Sequence, residues 1–258
     1  MNIDEFTVDV GGEKLNCALA KPEANRVHDS PALLLNISAT RELALHDPGQ
    51  NHPTAPFLEA GYHVLTFDLP HHGERVGEYG EGLLGMGRAY AAGDDPFEQF
   101  VSDGKAALDA ALARGLGANP RIVAYGVSRA AYCCLRLAAA DSRVRAVAGL
   151  APVTDWALPP EFLEGCPRSK TPPLLIDHWA DALADRAVYL CVGAQDDLVG
   201  AESCVRFART LAGKQREALP RDTLYNQLHV VDTPGHSPAK YWRLDATRYL
   251  LRFCEQAP

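Results

Sequence analysis

The chain has 258 residues, of which 47% are apolar and 22% are charged, and its formal net charge is −8. An apolar content of this size can bury a large core, which argues against a disordered chain. The acidic balance argues against a nucleic-acid partner, because phosphate binding requires clustered Lys and Arg.

Three further features predict a cytoplasmic protein without membrane contact. No apolar stretch approaches the roughly eighteen residues that a membrane-spanning helix needs. The acidic, alternating start MNIDEFTVDV is unlike a signal peptide. The seven cysteines show no CxxC spacing and are predicted to be reduced, packed thiols.

The predicted elements alternate between short apolar strands and helices. A β-hairpin around Gly11 and Gly12 comes first. Buried strands are then predicted at 31–38, 62–70, 121–127, 144–152, 187–195 and 225–233. Helices are predicted at 54–61, 95–115, 129–140, about 173–185, 201–212 and about 238–254. This order predicts one α/β domain over residues 1–258, with a mostly parallel sheet covered by helices on both faces.

In such a sheet, functional residues lie in loops beyond the carboxyl ends of the strands. The stretch YGVSRAAY (125–132) places Ser128 directly between a predicted strand and an apolar helix. A nucleophilic serine on a sharp strand-to-helix turn needs small neighbours, and Gly126 and Ala130 meet that need. The alternative is that Ser128 only caps the helix.

A serine nucleophile needs a base, and the base needs an orienting acid. The segment GAQDDLVG (193–200) follows one predicted strand, and DTPGHSPAK (232–240) follows the last. These segments supply the chain order Ser128, Asp196, His236, which is the order of a nucleophile-elbow hydrolase.

With these motifs the chain resembles the α/β-hydrolase family, and FDLPHHGER (67–75) resembles that family's Asp-x-x-Gly-His-Gly segment. The resemblance implies an eight-stranded sheet, a Ser-His-acid triad and no cofactor. The short connections look more like the dienelactone-hydrolase or peptidase-like branches than the lidded lipases, so no large lid domain is expected.

The sequence leaves several alternatives open for the nucleophile, the base and the acid. Ser237 sits in a second Gly-x-Ser-x-Ala pattern, but no histidine follows it. The other bases, His178 and His229, lie within a predicted helix and a predicted strand. Asp197 and Asp155 are the alternative acids. No metal site is predicted, because the adjacent His71 and His72 are poorly spaced for a shared ion.

The oxyanion hole requires two backbone N–H donors. We expect Arg129, which follows the nucleophile, and Ser38, in NISAT (36–40) after the first buried strand. Ile37 and Ala39 are near rivals for the second donor. Asn36 is either a side-chain donor or a turn former.

The substrate pocket is less well defined by the sequence. Ile37, Trp156, Phe162 and Trp179 are candidate lining residues, although core packing explains such apolar residues equally well. The glycine-rich segment 73–96 is interpreted as a flexible loop over the site.

These observations predict a hydrolase that cleaves small to medium carboxylic esters through an acyl-enzyme, with a small-molecule substrate as its partner. The same residues serve a thioesterase, an amidase or peptidase, or an acyltransferase, and relatives with such triads include lyases. A non-catalytic ligand-binding protein on this fold is the alternative of another class.

Overall fold

The computed structural model describes residues 1–49, 52–116, 120–220, 226–236 and 240–256. Its eight strands are β1 (Asn2–Val10), β2 (Glu13–Lys21), β3 (Ala32–Ile37), β4 (His63–Phe67), β5 (Arg121–Val127), β6 (Val144–Leu150), β7 (Ala187–Gln195) and β8 (Asn226–Pro234). They form one sheet in the order β1-β2-β4-β3-β5-β6-β7-β8.

The sheet is mostly parallel with an antiparallel edge, as predicted. β1 and β2 pair antiparallel around Gly11 and Gly12, whose φ angles of 63° and 91° suit glycine. β2 also pairs antiparallel with β4, and from β4 onward all neighbouring strands are parallel. The carboxyl ends of β3 to β8 therefore lie along one edge of the sheet.

Helices cover the sheet and connect its strands. They are α1 (Arg41–His46), α2 (Thr54–Glu59), α3 (Gly82–Ala92), α4 (Pro96–Leu112), α5 (Arg129–Ala140), α6 (Pro160–Gly165), α7 (Ala201–Ala218) and α8 (Lys240–Gln256). α4 starts where the sequence predicts, because the Asp95 carboxylate accepts the N–H groups of Phe97 and Glu98 and proline occupies the first helical position.

The core lies on both sides of the central strands. All six residues of β3 are buried, as are all residues of α5 from Ala130 to Ala138. An apolar run without alternation is what a strand covered on both faces requires. The same burial agrees with the apolar character of the helix that follows Ser128 in the sequence.

The glycine-rich segment 73–96 is not the flexible loop that its composition suggests, because it contains α3. One of its glycines, Gly87, permits close helix packing. A Cβ on Gly87 would lie 2.4 Å from the Phe162 carbonyl oxygen of α6, and one on Gly165 would lie 2.6 Å from the Leu84 carbonyl oxygen of α3. The segment therefore packs against α6 through backbone contacts that a side chain would prevent.

The predicted helix near 173–185 is also wrong. This part of the β6–β7 connection forms two short 3-10 turns, Pro172–Leu174 and Ile176–Trp179, followed by further turns. Leu175, which lies between the two turns, has φ −59° and ψ 122°, and this non-helical backbone interrupts a continuous helix.

Candidate active site

Ser128 lies on a strained turn between β5 and α5. Its backbone angles are φ 58° and ψ −123°, a conformation that residues other than glycine rarely adopt. Backbone hydrogen bonds hold this turn, since the Ser128 N–H donates to the Leu150 carbonyl over 2.8 Å and the Ser128 carbonyl accepts from Val153 N over 3.3 Å. Within the described residues, the Ser128 side chain makes no capping hydrogen bond to α5, which disfavours the capping alternative.

Gly126 permits the turn because the backbone of α5 passes directly over it. A Cβ at this position would lie 2.6 Å from the carbonyl carbon of Ala130 and 2.7 Å from Ala131 N. Real Cβ atoms do not approach backbone so closely. The spacing Gly126-x-Ser128-x-Ala130 therefore reflects a physical requirement of the turn, and alanine suffices at the second small position, where Ala130 is buried.

Asp196 and His236 meet at the carboxyl ends of β7 and β8. The register pairs Gln195 with Pro234, which brings the next residues of the two strands together. His236 Nδ1 lies 2.9 Å from Asp196 Oδ2. The other carboxylate oxygen, Oδ1, accepts N–H hydrogen bonds from Leu198 and Val199, each over 3.2 Å. The fully buried carboxylate is therefore held in one orientation, with one oxygen on the imidazole.

The rival acids have other surroundings. Asp197 is exposed. Asp155 is half-buried, and its Oδ1 accepts the Ala157 N–H over 2.9 Å in a local turn. Among the described residues, no hydrogen bond between either carboxylate and a histidine is seen.

The rival bases lie elsewhere. His178 is exposed, with Nε2 3.1 Å from the Pro172 carbonyl oxygen. His229 lies within β8, and its ring stacks on Tyr189 at 4.9 Å. Ser237, the alternative nucleophile, lies outside the described residues.

The loop after β3 lies beside the Ser128 turn. Ile37 pairs with Gly126, so Ser38 lies at the level of the last residue of β5 and next to the turn. Ser38 is 6% exposed. Arg129 is the first residue of α5, where backbone N–H groups have no acceptor within the helix. The two expected oxyanion donors therefore come from neighbouring strand ends.

Asn36 has a structural environment. Its side-chain amide donates to the Ala44 carbonyl over 2.9 Å and to Thr54 Oγ1 over 3.1 Å. These contacts connect β3 to α1 and α2, which favours the structural alternative over a donor role in the site.

Asp68 is a structural residue of the site that the sequence analysis did not single out. Its buried carboxylate accepts the Arg41 N–H over 2.7 Å and the Glu74 N–H over 3.1 Å. It therefore connects the loop after β3, which contains Ser38, to the loop after β4. An aspartate directly after a buried strand, within a segment that resembles a family motif, was the available signal.

Two titratable groups with shifted pKa values lie near each other: His72 and Arg129, the residue after Ser128. His72 is buried, and its Nδ1 lies 2.9 Å from the Pro70 carbonyl oxygen. Burial, followed by the positive charge of Arg129, lowers the pKa of His72 to about 4, so its imidazole is neutral at pH 7. Burial also lowers the pKa of the Arg129 guanidinium below its usual range, and the charge of Glu161 opposes this shift.

The candidate pocket residues fall into two environments. Trp156 and Phe162 are fully buried, and their rings pack against each other and against Phe97. The centroid of the Trp156 ring lies 4.6 Å from that of Phe97 and 4.6 Å from that of Phe162. Trp179 is half-buried beneath the Arg136 guanidinium, 3.7 Å from its ring centroid. These contacts favour the core-packing alternative for the three aromatic residues. Ile37 is buried at the end of β3.

Among the described residues, no group of three or more His, Cys, Asp or Glu side chains is arranged to hold a metal ion. Within the same part of the chain, no helix has the length and apolar character needed to cross a membrane.

The sheet order and the strained strand-turn-helix at Ser128 are those of the α/β-hydrolase fold. Residues 11–229 match the family described as X-Pro dipeptidyl-peptidase (S15 family). The chain belongs to this family of serine hydrolases. A comparison with curated protein sequences gives no match.

Solved structures share the fold at low sequence identity. A cold-adapted esterase from an Arctic intertidal metagenomic library is 19% identical, with a TM-score of 0.70 over 97% of this chain and 93% of that one. A Pyrococcus furiosus esterase is 17% identical, with a TM-score of 0.70 over 97% of this chain and 91% of that one. Porphyromonas gingivalis dipeptidyl peptidase 4 is 16% identical, with a TM-score of 0.70 over 97% of this chain but 35% of that one.

Proposed function

We propose that this hydrolase cleaves carboxylic esters through an acyl-enzyme, with Ser128 as nucleophile, His236 as base and Asp196 as orienting acid. The observation that carries the proposal is the 2.9 Å contact between His236 Nδ1 and Asp196 Oδ2. This contact joins two residues from separate loops at the same sheet edge as the strained Ser128. A buried carboxylate that fixes one imidazole nitrogen leaves the other nitrogen free to act as a base.

In the proposed mechanism, Ser128 Oγ attacks the ester carbonyl while His236 Nε2 takes the hydroxyl proton. The negative oxygen of the tetrahedral intermediate accepts hydrogen bonds from the backbone N–H groups of Arg129 and Ser38. His236 then gives its proton to the leaving alcohol, and the acyl group remains on Ser128. Water repeats the sequence on the acyl-enzyme and releases the acid.

Asp196 has two parts in this mechanism. Its Oδ2 accepts the Nδ1–H of His236, which keeps the proton off Nε2 in the resting state, and its charge stabilises the imidazolium that forms. The N–H groups of Leu198 and Val199 hold the carboxylate for this purpose. The imidazole can therefore accept a proton without reorienting.

A fluorophosphonate probe, which reacts with activated serines, tests the nucleophile. We expect the wild-type chain and Ser237→Ala to be labelled and Ser128→Ala to be unlabelled. Absence of labelling on folded wild-type protein would favour the non-catalytic binding protein, and loss of labelling only in Ser237→Ala would move the nucleophile.

A peptidase is the second candidate, because the family description names X-Pro dipeptides. The ester proposal is supported by the two esterases that this chain matches over almost their whole length. A panel of p-nitrophenyl esters with acyl chains of two to eight carbons, measured beside Gly-Pro-p-nitroanilide, separates the two. A kcat/KM that is higher for the anilide than for every ester would overturn the ester assignment.

A further inference from the structure

Arg129, which directly follows Ser128 in the chain, carries a cation that has no ion-pair partner within 4 Å among the described residues. The Arg129 side chain is half-buried, and its Nε, which is fully buried, has no hydrogen-bond partner among the described residues. The neighbouring acid, Glu161, is exposed and acts on Arg129 through its charge. A buried N–H donor without a partner is costly, so such a group calls for a functional explanation.

His72, whose pKa is affected by the charge of Arg129, provides a second unpartnered polar atom. Its Nδ1 donates to the Pro70 carbonyl, which leaves Nε2 as an acceptor. Nε2 is buried and has no partner within the described chain. Arg129 and His72 lie at the carboxyl ends of β5 and β4, so a donor and an acceptor are both unused at the sheet edge that holds Ser128.

We propose that the Arg129 guanidinium binds a carboxylate of the substrate, so that the esters cleaved at Ser128 are those that carry a free carboxylate. This inference rests on the proposed function and specifies its substrate class. Guanidinium is the side chain best matched to carboxylate, because two parallel N–H groups can contact both oxygens.

The local charge favours a carboxylate over a phosphate. Arg129 is a single cation, His72 is neutral at pH 7, and Glu161 contributes negative charge nearby. A singly charged carboxylate balances one guanidinium, whereas a phosphate monoester carries between one and a half and two negative charges at pH 7.

The test compares matched esters with and without a carboxylate. On the acyl side, the pair is mono-p-nitrophenyl glutarate and its methyl ester. On the alcohol side, the pair is 4-acetoxybenzoate and methyl 4-acetoxybenzoate. Each kcat/KM is divided by the ester's rate with hydroxide, which removes differences in intrinsic reactivity. The ratio of anionic to neutral substrate is then compared between variants, so that effects on shared catalytic groups cancel.

We expect the wild-type ratio to exceed about 10 for at least one pair. Arg129→Gln should lower that ratio by about 10- to 100-fold, the range of a charge-assisted hydrogen bond, and Arg129→Lys should retain part of it. Arg26→Gln is the matched control, because Arg26 is exposed near the amino end of β3, at the opposite edge of the sheet. Equal ratios in wild type and Arg129→Gln would overturn the inference.

A binding experiment separates this inference from the hydrolase proposal. Calorimetric titration of Ser128→Ala with monomethyl glutarate requires no turnover. We expect binding that is weakened at least tenfold in Ser128→Ala/Arg129→Gln, and weaker binding of dimethyl glutarate. Equal binding of both ligands, or tighter binding of inorganic phosphate, would refute a carboxylate site even if neutral esters are hydrolysed. Charge-selective binding without any ester hydrolysis would instead refute the hydrolase proposal alone.

Discussion

Replacing Asp196 with asparagine removes one charge and nearly preserves the side-chain shape. In the native arrangement, Oδ1 accepts two backbone N–H groups and Oδ2 faces His236 Nδ1. The asparagine side-chain oxygen can still accept the N–H groups of Leu198 and Val199, but only if the asparagine NH₂ group then faces His236. Nδ1 must then act as an acceptor, so the ring proton moves to Nε2 and the base is lost.

The magnitude follows from the cost of restoring the reactive tautomer. Turning the amide would place NH₂ against the N–H groups of Leu198, which is half-buried, and Val199, which is buried, and leave both donors without an acceptor. Each unsatisfied donor costs about 1–3 kcal/mol, so the total is about 2–6 kcal/mol. At about 1.36 kcal/mol per factor of ten, this corresponds to a loss of about 30-fold to 3 × 10⁴-fold. The variant also lacks the Asp196 charge that stabilises the imidazolium, which lowers kcat further. We therefore expect kcat to fall by at least about 10²-fold.

The assay is kcat on one activated ester for Asp196→Asn, Asp197→Asn and Asp155→Asn, with thermal melts to verify folding. Asp197 is exposed, and Asp155 accepts a local N–H in a turn, so each of these two variants should lose less than about tenfold. A severe loss in Asp155→Asn together with near-normal kcat in Asp196→Asn would refute the assignment and move the acid to the end of β6.

Three further predictions concern the nucleophile, the turn and a buried histidine. Ser128→Ala should lower kcat by about 10⁴-fold or more without changing the melting temperature, as measured by burst kinetics and thermal melts. Gly126→Ala should destabilise the fold by about 1–3 kcal/mol in urea titrations, because its Cβ would overlap Ala130; Gly213→Ala, whose Cβ meets nothing within 4 Å in α7, should not. In the folded protein the pKa of His72 is about 4 instead of its ordinary 6.5. Between these pH values the unfolded chain therefore binds more protons than the folded protein. The free energy of unfolding should fall as the pH is lowered from 6.5 towards 4. The loss is at most about 3 kcal/mol at 1.36 kcal/mol per pKa unit, and His72→Gln should show a smaller fall between pH 6.5 and 4; an equal fall would contradict this role.

The sequence predicted the sheet well because its signals are local. Continuous apolar runs identified β3, β5 and β7, and the first residues beyond β5 and β7 were the ones that suggested chemistry. The bounds of β5 and β7 match the predictions to the residue. A strand end is a short-range feature, so chain order and spacing were sufficient to suggest which loops meet.

The sequence was misleading where a residue serves a distant contact. Gly87, in the glycine-rich segment 73–96, is consistent with a flexible loop in isolation, and only the closeness of α3 and α6 shows that it permits packing. Trp156 and Phe162 have the composition of a substrate pocket or of a core, and only their ring contacts distinguish the two. Arg129 shows no sequence signal for ligand binding, because the absence of an ion-pair partner among the described residues depends on how distant segments pack around it.

Backbone strain is concentrated at the edge of the sheet that holds the candidate site. Among the described residues, three that are not glycine have positive φ: His71 at 63°, Ser128 at 58° and Ala151 at 42°. They follow β4, β5 and β6, three strands in chain order whose carboxyl ends share this edge. Each such residue costs about 1–3 kcal/mol and persists only where its surroundings fix it. Hydrogen bonds fix two of them directly, from Ser128 N to the Leu150 carbonyl and from Ala151 N to the Cys191 carbonyl. Packing alone does not explain why this backbone strain is concentrated at the edge of the sheet that holds Ser128. A nucleophile that must project from a sharp turn does explain it.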